Sequence, residues 1–284
     1  MLSRRTSGEH YHVVNASSLP RTSAFMAARN TGSGVIAARR GNTAGPATAP
    51  IPVDVLTDEV TFVFSWNNPD TNVLFLLVQP DGSVINEFSA PLRPDVDFFP
   101  GLSQKVFRVR NAQSGDWSFI QVALAGGHTD YDFIAITSPT NVLSLGAMAV
   151  EPVSPCGVPG AAMQIEATPM FEGRSLLGAT VTGTVTRPDG AIERIVLLDD
   201  GGRLSGDNEP DDGVYSALLT PGVAGTYTFE LIAEAVAAVT YEGEPLFATI
   251  GDVATVLTAP PFTRTILTTA VAAPVDTAGD IDGD

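Results

Sequence analysis

The chain has 284 residues, with 32 acids against 14 Arg and a single Lys, for a formal charge of −17. A surface this acidic is repelled by nucleic-acid phosphate and by anionic lipid headgroups, which excludes both as partners and leaves cations as the natural small ligands. The length suffices for two domains with proper cores, while the lone Cys156 excludes an internal disulfide and a Cys-rich zinc site.

Residues 1–50 read as the end of one element followed by a linker. The start, MLSRRTSGEHYHVV, lacks the apolar core of a secretory signal. No run approaches the roughly 18 apolar residues of a membrane span, so no membrane insertion is expected. Tyr11–Val14 suits a short strand, and Ser18 can cap a helix running from Leu19 to about Arg29, with Leu19, Phe25 and Met26 on its apolar side. Gly32 to Pro52 is rich in Gly, Ala, Thr and Pro, which suits a loose connector. One strand and one helix cannot bury a core, so this segment either packs on the next domain or is the remnant of a domain outside the chain.

From Val53 the sequence is that of an all-β protein. Val60–Trp66 alternates, with Phe62, Phe64 and Trp66 on one face. Val73–Val78 is a continuous apolar strand that Pro80-Asp81-Gly82 turns into another over Val84–Phe88. Gln104–Val109 and Asp116–Leu124 are expected to pair across Asn111–Gly115, and Asp132–Ile136 adds a further strand. The second half repeats this plan. LFLLVQPDGSVI (74–85) is matched by TGTVTRPDGAIE (182–193), and SGDWSFIQV (114–122) by AGTYTFELI (224–232), at offsets of 108 and 110 residues. Two copies of one unit predict two tandem immunoglobulin/fibronectin-III-like β-sandwiches over 53–150 and 157–273, divided near the prolines of EPVSPCGVP. Ala233–Ala238, Val239–Tyr241, Ala254–Leu257 and Phe262–Val271 close the second. Asp212-Gly213-Val214-Tyr215 is the pattern of a tyrosine corner, with the ring tied back to backbone.

The departure from ordinary strand sequence is Leu197–Ala217. Asp199, Asp200, Asp207, Glu209, Asp211 and Asp212 crowd there against Arg203, interrupted by Gly201, Gly202, Gly206 and Gly213. Two readings stand. Carboxylates on a flexible loop are what Ca²⁺ takes as ligands, with Asp207 and Asp211 first and Asp200 and Asp212 next. Asp-Gly pairs are equally what tight turns are made of. At the other end, 274–284 is an acidic tail in which Asp280, Asp282 and Asp284 stand at i, i+2 and i+4, either a truncated calcium repeat or a solvated tail.

Catalytic signatures are lacking. His10, His12 and His128 lie in no HExxH or nucleophile-elbow context, and His10 and His12 sharing a strand face suit solvent better than a metal. No Gly-rich phosphate loop opens a helix, and the paired acids sit in a polar loop rather than an apolar cleft that would raise one pKa. An enzyme is not expected. Trp66 and Trp117 could stack on sugars as in a carbohydrate-binding module, but alternation places both toward a core.

The order SWNNPDTNVLFLLVQPDGSVI (65–85), VRNAQSGDWSF (109–119), GATVTGTVTRPDG (178–190), LLDDGGRLSGDNEPDDGVYS (197–216) and GTYTFEL (225–231) resembles the region that follows the von Willebrand factor A domain in calcium-activated chloride channel regulators and related bacterial surface proteins. SGEHYHVVNASSL (7–19) is similar to the end of the A domain itself. The resemblance implies a β-sandwich followed by a fibronectin-III-like domain, an extracellular or cell-surface setting, and a supporting role for an adjacent domain that binds an extracellular protein or glycan; the chain itself is expected to be a monomeric module. The DxSxS adhesion motif and the upstream zinc-protease motif of that family are absent from these residues, so neither activity is implied. The alternative is an accessory, non-catalytic region of a secreted protease or glycosidase.

Overall fold

The computed structural model describes residues 19–31, 33–45, 50–138, 141–150, 162–240 and 258–272. Among these residues a helix, α1 (Leu19–Thr31), precedes nineteen strands. These are β1 (Val35–Asn42), β2 (Ile51–Val53), β3 (Glu59–Trp66), β4 (Asn72–Val78), β5 (Val84–Ile85), β6 (Val96–Pro100), β7 (Gln104–Arg110), β8 (Gly115–Ala125), β9 (Asp130–Thr137), β10 (Leu143–Val150), β11 (Met163–Phe171), β12 (Arg174–Leu177), β13 (Thr180–Thr186), β14 (Ile192–Leu197), β15 (Tyr215–Leu219), β16 (Gly225–Ala235), β17 (Ala238–Thr240), β18 (Thr258–Ala259) and β19 (Phe262–Ala272). The fold is all-β, in two sandwiches, with a short 3-10 turn at Ala90–Leu92. No helix among the described residues is long and apolar enough to cross a membrane.

In the first sandwich a four-stranded sheet, β2-β8-β4-β5, faces the strands β1-β9-β3-β7-β6. Alternation drives the packing. Val60, Phe62 and Phe64 of β3 are fully buried, as are Phe75 and Leu77 of β4 and Trp117 and Phe119 of β8. The Phe119 ring lies 4.3 Å from Phe133 and 5.2 Å from Phe75 between centroids, the offset aromatic packing that fills such a core. The second sandwich sets β14-β13-β16-β19 against a sheet ordered β10-β11-β12-β17-β18, with β15 on β11. Its core runs from Met163 and Ile165 through Tyr227, Phe229 and Leu231.

The repeat read from sequence holds at the level of side chains. In each unit the Asp of the PDG turn accepts a backbone N–H two residues on, Ser83 N to Asp81 Oδ1 at 2.9 Å and Ala191 N to Asp189 Oδ1 at 3.1 Å. The strand that pairs with the turn opens on a left-handed glycine, Gly115 or Gly225, where a Cβ would meet Pro80 at 3.1 Å or Pro188 at 2.9 Å. The aromatic two residues later bonds the backbone four residues before itself. Trp117 Nε1 donates to Gln113 O (2.7 Å) and Tyr227 Oη to Val223 O (3.0 Å).

Several expectations are corrected. The described part of Gly32–Pro52 is no loose connector, because β1 pairs with β9 from Val35↔Ile136 to Asn42↔Asp130. β7 and β8 do not pair; β7 lies between β3 and β6 while β8 lies between β2 and β4, on the opposite sheet. β5 stops at Ile85, where Asn86 Oδ1 accepts the Phe88 and Ser89 N–H groups and turns the chain. β10, placed in the first unit from sequence, pairs along its whole length with β11 of the second. Tyr11–Val14, Cys156, Ala254–Leu257 and the tail with Asp280, Asp282 and Asp284 lie outside the described residues.

The two sandwiches share one sheet. β1 bridges β9 of the first and β19 of the second, giving a nine-stranded order β14-β13-β16-β19-β1-β9-β3-β7-β6. The β1–β19 join is thin, with register Val35↔Thr265. Other contacts reinforce it. Phe25 and Ala28 of α1 pack with Val35, Ala38, Ile134 and Leu267, from both sides of the join. Arg264 of β19 reaches the first unit, where Nη2 bonds Asp54 Oδ2 at 2.9 Å with side-chain exposures of 1% and 0%. Its Nε donates to Leu143 O (3.1 Å) and its Nη1 to Thr263 O (2.9 Å). Asp54 is completed by Leu56 N–H at Oδ1 (3.0 Å) and the Thr57 hydroxyl at Oδ2 (2.8 Å). Gly34 is required beside it, since a Cβ would lie 2.9 Å from Arg264 Nε and 3.1 Å from Thr137 Oγ1.

Candidate functional site

The acidic loop leaves and re-enters the sheet at one point. Leu198 and Ser216 exchange backbone bonds of 2.9 and 2.8 Å, and residues 199–215 close between them. Asp199, next to the strand end, zips the closure, with Oδ1 accepting Asp212 N (3.1 Å) and Oδ2 accepting Gly213 N (3.0 Å). Asp207 is buried and its Oδ2 accepts Gly201 N at 2.7 Å. Asp212 Oδ1 accepts Val214 N at 2.8 Å. Gly201, at φ +60, sits where a Cβ would strike Pro210 at 2.5 Å.

This arrangement gathers carboxylate oxygens of Asp199, Asp207 and Asp212 within 4.8 Å of one another. Oxygen ligands at about 2.3–2.6 Å from a shared Ca²⁺ stand up to roughly 5 Å apart, so the group has the dimensions of half a calcium shell. Of the four residues singled out in sequence, Asp207 and Asp212 come together. Asp200 turns elsewhere, its Oδ1 accepting Gly202 N (2.8 Å) and Ser205 Oγ (2.5 Å). Asp211 is exposed, in left-handed backbone at φ 58, and is not among the three. The member not singled out, Asp199, carried one signal: it is the carboxylate adjoining the strand end that the loop must return to.

Burial pushes the Asp199 carboxyl above its ordinary pKa. The Gly213 and Asp212 N–H groups oppose that, and the charges of Asp212 and Asp207 add to it. Asp200 is held below its ordinary value by the Ser205 hydroxyl and the Gly202 N–H. Both oxygens of Asp199 are committed to backbone donors, which is a structural use of a carboxylate. His128 is exposed on a loop. Tyr215 completes the predicted corner, its Oη donating to Leu176 O (3.2 Å) and accepting Ala179 N (2.9 Å). Trp66 and Trp117 are 6% and 0% exposed, with indole N–H groups bonded to Thr71 O and Gln113 O. Neither ring is available to stack on a sugar.

Residues 170–256, which include the acidic loop, match the family described as “Conditioned medium factor 2nd Ig-like domain”, and this agrees with the sandwich of the second unit. No curated protein matches the sequence. Among solved structures, a DUF4785 family protein from Legionella pneumophila subsp. pneumophila is similar at 8% identity and TM-score 0.49, over 82% of this chain and 60% of that one. Bacillus licheniformis lipase BlEst2 in its propeptide form is similar at 14% identity and TM-score 0.39, over 84% of this chain and 40% of that one. The chain thus spans less than two thirds of the length of either.

Proposed function

We propose that the chain is a rigid, non-enzymatic, extracellular spacer in a longer surface or secreted protein. It holds a neighbouring ligand-binding domain, of the von Willebrand factor A type that the sequence resembles, at a fixed distance and orientation. The extracellular protein or glycan ligand belongs to that neighbour. The observation that supports this reading is the junction: one sheet crosses both sandwiches and the fully buried Asp54–Arg264 pair fastens it. A buried ion pair adds little stability over apolar packing of the same shape. Its contribution here is a defined relative orientation, which a flexible tether would not need. Calcium at Asp199, Asp207 and Asp212 stiffens the loop in the same scheme, by removing the repulsion among three gathered carboxylates.

Small-angle scattering of the purified chain, with calcium and with chelator, tests the spacer. A single rigid particle is expected, with a distance distribution unchanged by temperature below unfolding. A two-lobed, freely hinged profile would refute it. Hydrolysis of ester, peptide and glycoside reporters is expected to stay at the uncatalysed rate, and turnover abolished by substitution of any residue in the chain would overturn the non-enzymatic reading.

A further inference from the structure

The junction also forms a groove. A cavity of about 940 Å3 opens between the sandwiches, walled by Val55 and Asp116 of the first unit and by Glu234, Val236 and Phe262 of the second. A second cavity, of about 330 Å3, is walled by Val196, Leu198, Asp199 and Asp211. Both take Gly178 and Thr180 into their walls, so the start of β13 stands between the junction channel and the cavity beside the acidic loop. Each volume lies in the range of ligand sites, about 300–1,000 Å3, and clefts between domains are where such sites concentrate.

The lining alternates two chemistries. Val55, Val236, Val196 and Leu198 are exposed aliphatics at 67%, 86%, 58% and 47%. Asp116, Glu234 and Asp211 are exposed acids and Asp199 is half-buried. No Lys, Arg or His lines either cavity. The carboxylate of Asp54, also in the wall, is neutralised by Arg264, whereas Asp116 and Glu234 make no ion pair with any described residue. Aliphatic walls give a small hydrophilic cation nothing to bury, and an uncharged apolar ligand would leave the carboxylates of Asp116 and Glu234 without a counter-charge.

We propose that the junction channel binds an extended, cationic peptide segment in which Lys or Arg alternates with aliphatic residues, the basic side chains meeting Asp116 and Glu234 and the aliphatic ones meeting Val55 and Val236. Each unit presents one acid and one valine to the channel, Asp116 with Val55 and Glu234 with Val236, so a segment that carries basic and aliphatic side chains in turn can satisfy both. The net charge of −17 steers such a segment toward the chain from solution. The inference rests on the same fixed junction as the spacer reading, since both sandwiches wall the channel, but a rigid pair need not bind the peptide, so failed binding leaves the spacer reading standing.

The test is an amide-resolved NMR titration of the full chain, in chelator and about 50 mM salt, with a capped peptide of three Lys-Val repeats as probe and its Glu-Val counterpart as control. Saturable shifts are expected at the amides of Val55, Asp116, Gly178, Thr180 and Glu234, with none from the Glu-Val peptide. The exposed pair Asp116→Asn with Glu234→Gln is expected to weaken binding at least about tenfold without moving the melting midpoint. Asp70→Asn, which removes an exposed charge outside the channel, is expected to change it less than about twofold. The proposal is overturned if no saturable binding occurs at about 1 mM peptide, if the shifts map elsewhere, or if Asp70→Asn weakens binding as much as the channel pair.

Discussion

Asp54→Ala is the sharpest perturbation of the junction. It leaves Arg264 at 1% side-chain exposure with its Nη2 lacking an acceptor, and it strips an acceptor from Leu56 N–H and from the Thr57 hydroxyl. Burial already pulls the Arg264 guanidinium pKa below its ordinary value, and the Asp54 charge and hydrogen bond oppose that pull. Without Asp54 the desolvation is uncompensated. Breaking a buried pair from one side costs about 3–5 kcal/mol. In a chain of this size each kcal/mol is worth roughly 2–4 °C, so the midpoint should fall by roughly 6–20 °C. The two tryptophans, Trp66 and Trp117, both lie in the first core, whereas far-UV circular dichroism reports both sandwiches. Urea transitions by the two probes should coincide in the wild type and separate in Asp54→Ala, because the coupling between units has gone. The double variant Asp54→Ala/Arg264→Met should regain most of the loss, since it buries no unpaired charge. A loss below about 1 kcal/mol with transitions still coincident would refute the assignment of the pair as the fastening of the two units.

Gly34→Ala acts on the same contact from the other side, driving a methyl to 2.9 Å from Arg264 Nε, and should cost about 1–3 kcal/mol by denaturant titration. Tyr215→Phe removes the acceptor of Ala179 N–H and a donor to Leu176 O, for a loss of about 1–3 kcal/mol in the second unit. In chelator, stability should pass through a maximum on mild acidification. Asp199, raised in the fold, contributes stability that is present below the ordinary carboxylate value of about 3.9 and lost as pH rises through its folded pKa. Asp200, lowered in the fold, contributes stability that is lost as pH falls through its own. A midpoint that falls without interruption from neutral pH downward would contradict the raised value for Asp199. Calcium at about a hundred times its Kd should add about 2.7 kcal/mol. Asp207→Asn should abolish that gain and Asp200→Asn should leave it, because only the former belongs to the gathered group.

How much was legible in the sequence depends on the range of each interaction. The PDG turns, the Gly-x-aromatic strands and the tyrosine corner were readable because their partners lie within a few residues or repeat at a fixed offset. The pairing of β7 with β8 was misjudged because proximity in sequence favours a hairpin, and no local pattern separates a hairpin from a crossover between sheets. What decides is that Phe107 and Val109 of β7 and Trp117 and Phe119 of β8 bury toward one another from opposite sheets. In the acidic loop the composition left a cation site and plain turn chemistry both open, and which acids converge depended on backbone donors. Asp199 is drawn in by Asp212 and Gly213, and Asp200 is drawn away by Gly202 and Ser205.

The junction was hidden for a stronger reason. Its members, Gly34, Asp54, Leu143 and Arg264, are isolated in sequence, and each is unremarkable by type. An Arg in an alternating strand reads as a solvent-facing residue, yet Arg264 is fully buried among β19, β10 and the turn after β2. Likewise VIAARRGN reads as connector after a Gly-Ser-Gly, and it becomes a strand only because β9 and β19 each offer it an edge. Left as separate sandwiches, those two edges would expose unpaired backbone to other chains. Covering both with a single strand from before the first unit joins the units and removes the exposed edges at once. The segment that looked most like a linker is thus the one the shared sheet cannot lose: deleting 33–45 would uncouple the sandwiches and leave β9 and β19 open to strand addition by other copies.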